Sequence, residues 1–209
     1  MTSVDPALEF SERRVFLNVP YDPRYGPLFT SMVAGLVGLG LIPHCGLESH
    51  SSGTERLQGI FRLLSSCGTS IHDLSRMEVS GALRVPRFNM PFELGMAYAL
   101  QSKGGRKHRI YVFDEKRRRL GAALSDMAGF DPLIHRGTQR GILYALLDCF
   151  DPNPGLPDEG KLKDLVAYVS EGVRDLQKQR QARDPFRLSI FRQMVFMALS
   201  RAQELRILP

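Results

Sequence analysis

The sequence predicts an α/β fold: a doubly wound, mainly parallel five-stranded sheet with a C-terminal helical appendage. Between residues 14 and 149, short runs rich in β-branched and aromatic residues alternate with longer stretches whose apolar residues recur at helical spacing. Strands separated by helices pair in parallel through right-handed crossovers. After residue 157 only the helical pattern continues, so the last segment is predicted to be an appendage.

Five runs have the length and composition of strands. They cover residues 14–19, 41–45, 70–74, 109–113 and 132–135. The first ends in the turn Pro20-Tyr21-Asp22-Pro23, which puts a loop directly after its carboxyl end.

The stretches between these runs have apolar residues three and four positions apart, as amphipathic helices do. They cover residues 25–39, 54–67, 91–101 and 138–149. In the second stretch the apolar positions are Leu57, Ile60, Phe61 and Leu64. A loop or short helix is expected before the fifth strand, through Leu124.

Residues 151–157 contain three prolines and form the predicted domain boundary. An α/β domain then covers residues 1–150 and the appendage covers residues 151–209. The appendage reads as two helices, 159–181 and 185–208, and the second has a broad apolar face. Two helices cannot bury such a face alone. We expect them to pack on the α/β core or to join two copies in a homo-oligomer.

The composition is that of a globular protein. Of the 209 residues, 43% are hydrophobic. No uninterrupted apolar run approaches the roughly 18 residues of a membrane span, and the start of the chain lacks the basic and apolar regions of a signal peptide. We therefore expect a cytoplasmic protein without membrane contact.

Cys45, Cys67 and Cys149 are odd in number and set among apolar residues, which predicts reduced core thiols. The five histidines lack metal-ligand spacing, so no metal is expected. The net charge of +6 includes basic stretches at residues 103–109 and 116–119. We interpret them as solvated surface, with phosphate-bearing ligands or an acidic partner as alternatives. Nucleic acid is not an expected partner because stacking aromatics are not interleaved.

Residues 87–100, R-F-N-M-P-F-E-L-G-M-A-Y-A-L, place one carboxylate near the start of a helix. Pro91 suits the first helical position, with Asn89 or Met90 as the cap. Glu93 then falls in the first turn, where the helix dipole favours its ionised form. Such an anion suits a nucleophile or a stabiliser of positive charge; the alternative is that it only complements the dipole. Three small residues are expected to let this helix approach the sheet: Gly95, Ala97 and Ala99.

The preceding strand ends in a second carboxylate, Asp73, directly before a polar loop. Ligands of open α/β sheets bind at such strand ends. The polar residues that follow are Ser75, Arg76, Arg84, Arg87 and Asn89. His72 precedes Asp73, and because neighbours in a strand point to opposite faces, we assign His72 a structural role.

Together, the strand end at Asp73 and the F-E-L-G-M-A-Y-A helix resemble the superfamily that includes nucleoside 2-deoxyribosyltransferases and bacterial TIR-like NAD hydrolases. The resemblance covers roughly residues 14 to 135. It implies a flavodoxin-like or TIR-like sheet, with Glu93 as the catalytic carboxylate at the anomeric carbon and Asp73 as a ribose or base contact. It also implies a role as an effector in bacterial defence.

The chemistry also follows from the residue types. Cleavage of an N-glycosidic bond develops positive charge on the sugar, which a nearby carboxylate stabilises. Nicotinamide leaves as a neutral base, whereas a purine or pyrimidine needs a proton from a second group, for which Asp73, Asp22 and Asp126 are candidates. Two arginines are suited to bidentate phosphate contacts: Arg76 and Arg87.

Three hypotheses result. The first is hydrolysis of NAD or a related nucleotide, bound as substrate with no further cofactor. The second is deoxyribosyl transfer, which the loop after the first strand disfavours because it lacks that family's small residues. The third is a non-catalytic nucleotide-binding or assembly module. No G-x-G-x-x-G loop is present, so a hydride-transfer enzyme is not expected. One cleft at the carboxyl edge of the sheet is expected to gather Tyr21, Asp22, Asp73, Ser75, Arg76, Asn89 and Glu93. Arg87 is a further substrate-binding candidate.

Overall fold

The computed structural model describes residues 10–49, 54–77, 88–102, 108–117, 131–150 and 158–208. Its strands are β1 (Arg14–Asn18), β2 (Ile42–Cys45), β3 (Thr69–Asp73), β4 (Arg109–Asp114) and β5 (Leu133–Ile134). Its helices are α1 (Gly26–Gly38), α2 (Thr54–Ser65), α3 (Asn89–Ser102), α4 (Gln139–Phe150), α5 (Glu159–Gln179) and α6 (Leu188–Glu204). Single turns of 3₁₀ helix cover Pro23–Tyr25 and Gly46–Glu48.

The five strands form one parallel sheet in the order β2-β1-β3-β4-β5. This is the strand order of flavodoxin-like folds, and it confirms the predicted doubly wound class. The order reverses between β1 and β3, which makes the carboxyl ends of these two strands the topological switch point. Asn18 lies beside His72 there, and Asp73 lies beside Phe113.

The chain divides into two compact units, and the first comprises Met1–Pro20 and His44–Ile134. Here α2 and α3 pack on one face of the sheet. One buried cluster joins the two helices to β1 and consists of Phe16, Ile60, Leu64, Cys67 and Ala97. A second cluster joins the start of α3 to the ends of β3 and β4 and consists of Leu74, Met90, Leu94 and Val112. The N-terminal turn of α3 is thereby held at the carboxyl end of β3.

The second unit comprises Tyr21–Pro43 and His135–Pro209. In it, α1 packs against α4, α5 and α6. The ring centroid of Phe29 on α1 lies 6.0 Å from that of Phe191 on α6. Gly38 leaves no room for a Cβ beside Leu162 and Leu165 of α5. The apolar faces of the C-terminal helices thus pack on the first helix of the predicted core, and the homo-oligomer stays a prediction.

This grouping differs from the predicted boundary after residue 150, because α1 and α4 share their core with α5 and α6. Residues 151–157 themselves lie outside the described residues, as do 103–107 and 118–130, which hold most of the basic stretches and the loop through Leu124. The three cysteines are free and buried, as predicted. None of the helices in the described ranges combines the length and apolar character needed to cross a membrane.

Candidate active site

The α3 helix begins earlier than predicted. The N–H of Phe92 donates to the carbonyl of Phe88 at 3.1 Å, which closes a first helical turn that contains Pro91. Asn89 and Met90 therefore lie within the helix, and neither is the cap that was predicted. Proline is tolerated anywhere in this turn, because none of the first four N–H groups has a partner within the helix. Glu93 is therefore the fifth residue of α3. The prediction that it occupies the first turn is wrong, and the helix dipole acts on it less strongly, since that effect falls off within one turn.

Glu93 lies at the N-terminal end of the contact between α2 and α3. Ile60 and Ala97 share a buried cluster, and Arg56 and Glu93 each lie one helical turn before them. The Glu93 side chain is partly buried. Burial raises the pKa of Glu93 to about 7, against the opposing effect of the positive charge of Arg56. The carboxyl group of Glu93 therefore titrates near neutral pH, whereas the sequence predicted a group that stays ionised.

The small residues of α3 were predicted to let the helix approach the sheet, and only one of the three does so. Ala97 is fully buried in the cluster between the helices and β1. A Cβ on Gly95 would meet no atom within 4 Å, and Ala99 is exposed. Close approach of α3 to the sheet therefore depends on Ala97 alone among them.

A cavity of about 460 Å³ opens between α2 and α3 on the outer side of their contact. Its walls are three pairs of side chains, each pair one helical turn apart. The pairs are Leu57 with Phe61, Gln58 with Arg62, and Phe92 with Met96. Phe61 is 42% exposed and Phe92 is 56% exposed. Glu93 directly follows Phe92, so the carboxyl-bearing residue and the cavity occupy the same turn of α3.

Asp73 is fully buried at the end of β3, and its Oδ1 accepts the N–H of Ser75 at 2.9 Å. Side chains alternate along a strand, so Asp73 points to the face opposite His72 and Leu74. Leu74 packs on Met90 and Leu94 of α3. The structure therefore places α3 on the other side of β3 from the Asp73 carboxylate and does not bring Asp73 and Glu93 onto one face.

The other predicted site residues are described within the unit to which each belongs. Arg76 Nη1 lies 3.6 Å from Glu115 Oε2, and Asn89 is exposed at the start of α3. In the second unit, Asp22 Oδ1 accepts the N–H of Arg24 at 2.8 Å, and the Tyr21 ring packs on that of Phe186. Three predicted residues lie outside the described ranges: Arg84, Arg87 and Asp126.

Sequence reasoning missed Asn18, which ends β1 at the topological switch point. Its side-chain amide is buried and donates to the carbonyl of Met90 at 2.9 Å and to Nδ1 of His72 at 2.9 Å. The first of these bonds ties the sheet edge to the first turn of α3. The sequence did contain one indication of this role. Asn18 ends the apolar run V-F-L-N, and an amide buried there needs hydrogen-bond partners.

From Asn18 the hydrogen bonds continue as a chain in which each side chain donates to the next group. Nδ1 of His72 accepts from Asn18, so its Nε2–H donates to Ser70 Oγ at 2.9 Å. The Ser70 hydroxyl donates to Nε2 of His108 at 2.8 Å, and His108 Nδ1–H donates to the Cys67 carbonyl at 3.0 Å. Burial and the neighbouring His108 lower the pKa of His72 to about 3. His72 is thus a neutral structural residue, as predicted.

Among the described residues, no three His, Cys, Asp or Glu side chains are grouped to hold a metal ion. No protein-family model, curated protein or solved structure matches the chain. The resemblance to N-glycosidic enzymes therefore stays a prediction.

Proposed function

We propose that the chain cleaves the N-glycosidic bond of NAD or a related nucleotide, with Glu93 as the catalytic carboxyl group. One observation carries the proposal. A carboxyl group, shielded enough that its pKa rises to about 7, lies on the helix that starts at the carboxyl end of β3, and it directly follows a residue that lines an aromatic cavity. Perturbed carboxyl groups beside a concave surface are frequent at catalytic sites.

The ionised form of Glu93 performs the step that limits such reactions. As the bond between the anomeric carbon and the base nitrogen breaks, its electron pair moves to the nitrogen and positive charge develops on the ribose. The Glu93 carboxylate stabilises this charge in partly water-excluded surroundings, where the interaction is stronger than in water. Water then adds to the anomeric carbon and gives its proton to Glu93, whose pKa near 7 suits a base at neutral pH.

The raised pKa of Glu93 also favours a second candidate, the cleavage or exchange of a purine or pyrimidine deoxynucleoside. Such bases leave more readily when protonated. The protonated form of Glu93, present in comparable amount at neutral pH, is able to donate that proton. Asp73 is less suited to this role, because its Oδ1 accepts the Ser75 N–H.

The experiment is a substrate comparison with purified protein. One sample receives NAD, and another receives a deoxynucleoside together with a different free base. Chromatography then follows the release of nicotinamide with ADP-ribose, or the formation of a new deoxynucleoside. We expect nicotinamide release that the Glu93→Gln variant loses and the Glu171→Gln variant, which removes an exposed carboxylate on α5, retains.

Base exchange without NAD cleavage would transfer the proposal to the second candidate. No turnover of either substrate, together with saturable nucleotide binding, would contradict both and favour the non-catalytic module.

A further inference from the structure

We propose that the cavity between α2 and α3 binds the planar heterocyclic base of the substrate, stacked against Phe61 and Phe92. The choice of a nucleotide base as the ligand rests on the proposed function; the existence of a site for a flat ring rests on the cavity itself. The first argument is size. A volume of about 460 Å³ lies within the roughly 300–1,000 Å³ of small-molecule sites.

The second argument is the chemistry of the walls. Phe61 on α2 and Phe92 on α3 contribute aromatic rings, and Leu57 and Met96 complete the apolar lining. Both rings are substantially exposed, at 42% and 56%. Aromatic side chains that line a cleft and remain open to solvent offer stacking surfaces for planar bases.

The third argument concerns the few polar groups of the cavity. The surface that lines the cavity is almost entirely apolar, and Gln58 and Arg62 are its polar residues. Gln58 and Arg62 lie one turn apart on α2 and follow directly after Leu57 and Phe61. The Gln58 amide both donates and accepts hydrogen bonds, and the Arg62 guanidinium only donates. A ligand that fits has flat apolar faces, and polar atoms at its edge can meet Gln58 and Arg62. Nicotinamide and adenine both have this pattern, whereas an alkyl chain lacks the polar edge and a sugar phosphate lacks the flat face.

The fourth argument is position. Phe92 and Glu93 are consecutive residues of α3, so a ring stacked on Phe92 lies at the same helical level as the Glu93 carboxyl group. Glu93 does not itself line the cavity, so the base would lie one residue away from the group that acts at its glycosidic bond. The cavity would then supply leaving-group recognition next to Glu93.

The test follows binding directly, without requiring turnover. The full-length protein, labelled with ¹³C at its methionine methyl groups, is titrated with adenine, with nicotinamide and with ribose 5-phosphate as the probe that lacks a base. The Met96 methyl resonance is assigned as the one that is missing from the spectrum of Met96→Leu. We expect both bases to shift the Met96 methyl resonance saturably through the ring current, and ribose 5-phosphate to leave it in place.

Two variants locate the stacking surface. Phe92→Leu keeps an apolar side chain but removes the ring, and we expect it to weaken base binding at least about tenfold, or about 1.4 kcal/mol. Tyr98→Leu is the matched control, because Tyr98 is a similarly exposed aromatic of α3, at 52%, that does not line the cavity. Base affinity should be unchanged in that variant.

The inference is overturned if neither base shifts Met96, or if Phe92→Leu and Tyr98→Leu alter binding equally. It is also overturned if the protein forms a dimer that Phe92→Leu disrupts and the bases do not, since a second copy would then occupy the cavity. Its failure is distinct from that of the proposed function. Base binding at Met96 without NAD cleavage would support the cavity as a base site and contradict the proposed reaction. NAD cleavage that depends on Glu93 and is unchanged in Phe92→Leu would support the reaction and contradict the cavity as the base site.

Discussion

The side-chain amide of Asn18 donates to the main-chain carbonyl of Met90 across 72 positions of sequence, at 2.9 Å. The bond joins the end of β1 to the first turn of α3, three residues before Glu93. The same amide group donates to His72, and through it to Ser70 and His108. The position of the proposed catalytic helix therefore depends on a hydrogen-bonded chain buried in the sheet.

Replacing Asn18 with Leu should destabilise the protein strongly. The substitution leaves the Met90 carbonyl and Nδ1 of His72 buried without their donor, and each such group costs about 1–3 kcal/mol, so we expect a loss of about 2–6 kcal/mol. Urea unfolding followed by circular dichroism measures it. Asn89→Ala, which removes an exposed amide at the start of α3, should change stability by about 0.5 kcal/mol or less. Equal effects of the two substitutions would show that the Asn18 bonds carry no net stability.

His72 predicts a loss of stability in acid. Its pKa is about 3 in the folded protein and near 6.5 when unfolded, so between these values the unfolded chain binds more protons. The contribution of His72 to the free energy of unfolding should then fall by about 1.4 kcal/mol per pH unit as the pH drops from 6 toward 4. His72→Gln should lack this slope, and subtracting the two urea series cancels the other titrating groups. Identical slopes would mean that His72 is protonated in the fold.

The raised pKa of Glu93 predicts the opposite dependence of stability on pH. Its pKa is raised to about 7 from an ordinary value of 4.5, so ionisation of Glu93 above pH 7 destabilises the folded state relative to the unfolded chain. Glu93→Gln should therefore raise the thermal midpoint at pH 8, and the gain should shrink on acidification through pH 7 and vanish by about pH 4.5. A midpoint that is unchanged or lowered at pH 8 would indicate that Glu93 is not shielded from water.

Two helical glycines should respond oppositely to alanine. Gly95 faces open space in the interior of α3, so Gly95→Ala should stabilise the protein by about 0.5–1 kcal/mol through helix propensity. At Gly141 in α4 an added Cβ would collide with the carbonyl group of His135. Backbone cannot move aside as a side chain does, so Gly141→Ala should cost more than about 2 kcal/mol. Differential scanning calorimetry of both variants checks the contrast.

The parts of the structure that were predictable are those that depend on local pattern. The alternation of strands and helices predicted the doubly wound class. The structural role of His72 was also predicted, but on the assumption that Asp73 faces the site, whereas His72 lies on the face that α3 covers. Strand order, by contrast, depends on which strands pair, and no single segment records that. The buried contacts of Asn18 join residues 54 and 72 positions away, which no local pattern specifies.

Three details of the predicted site differ from the structure for identifiable physical reasons. The start of α3 was misjudged because Pro91 fits any position of a first turn. The protonation of Glu93 was misjudged because its burial depends on the packing of α2 and α3, while the sequence argument considered only the helix dipole. Asp73 was assigned to the Glu93 site from its strand end alone, although alternation within β3 places it on the other face.

The kcat/KM for NAD of Glu93→Gln, compared with that of the unaltered protein at pH 7, tests the central claim most directly. The substitution preserves the size of the side chain and removes the charge that stabilises the ribosyl cation. We expect a fall of at least about a hundredfold, which corresponds to about 2.7 kcal/mol of transition-state stabilisation, in a variant that remains folded. Full NAD cleavage by folded Glu93→Gln would contradict the account and leave Glu93 a structural residue of α3.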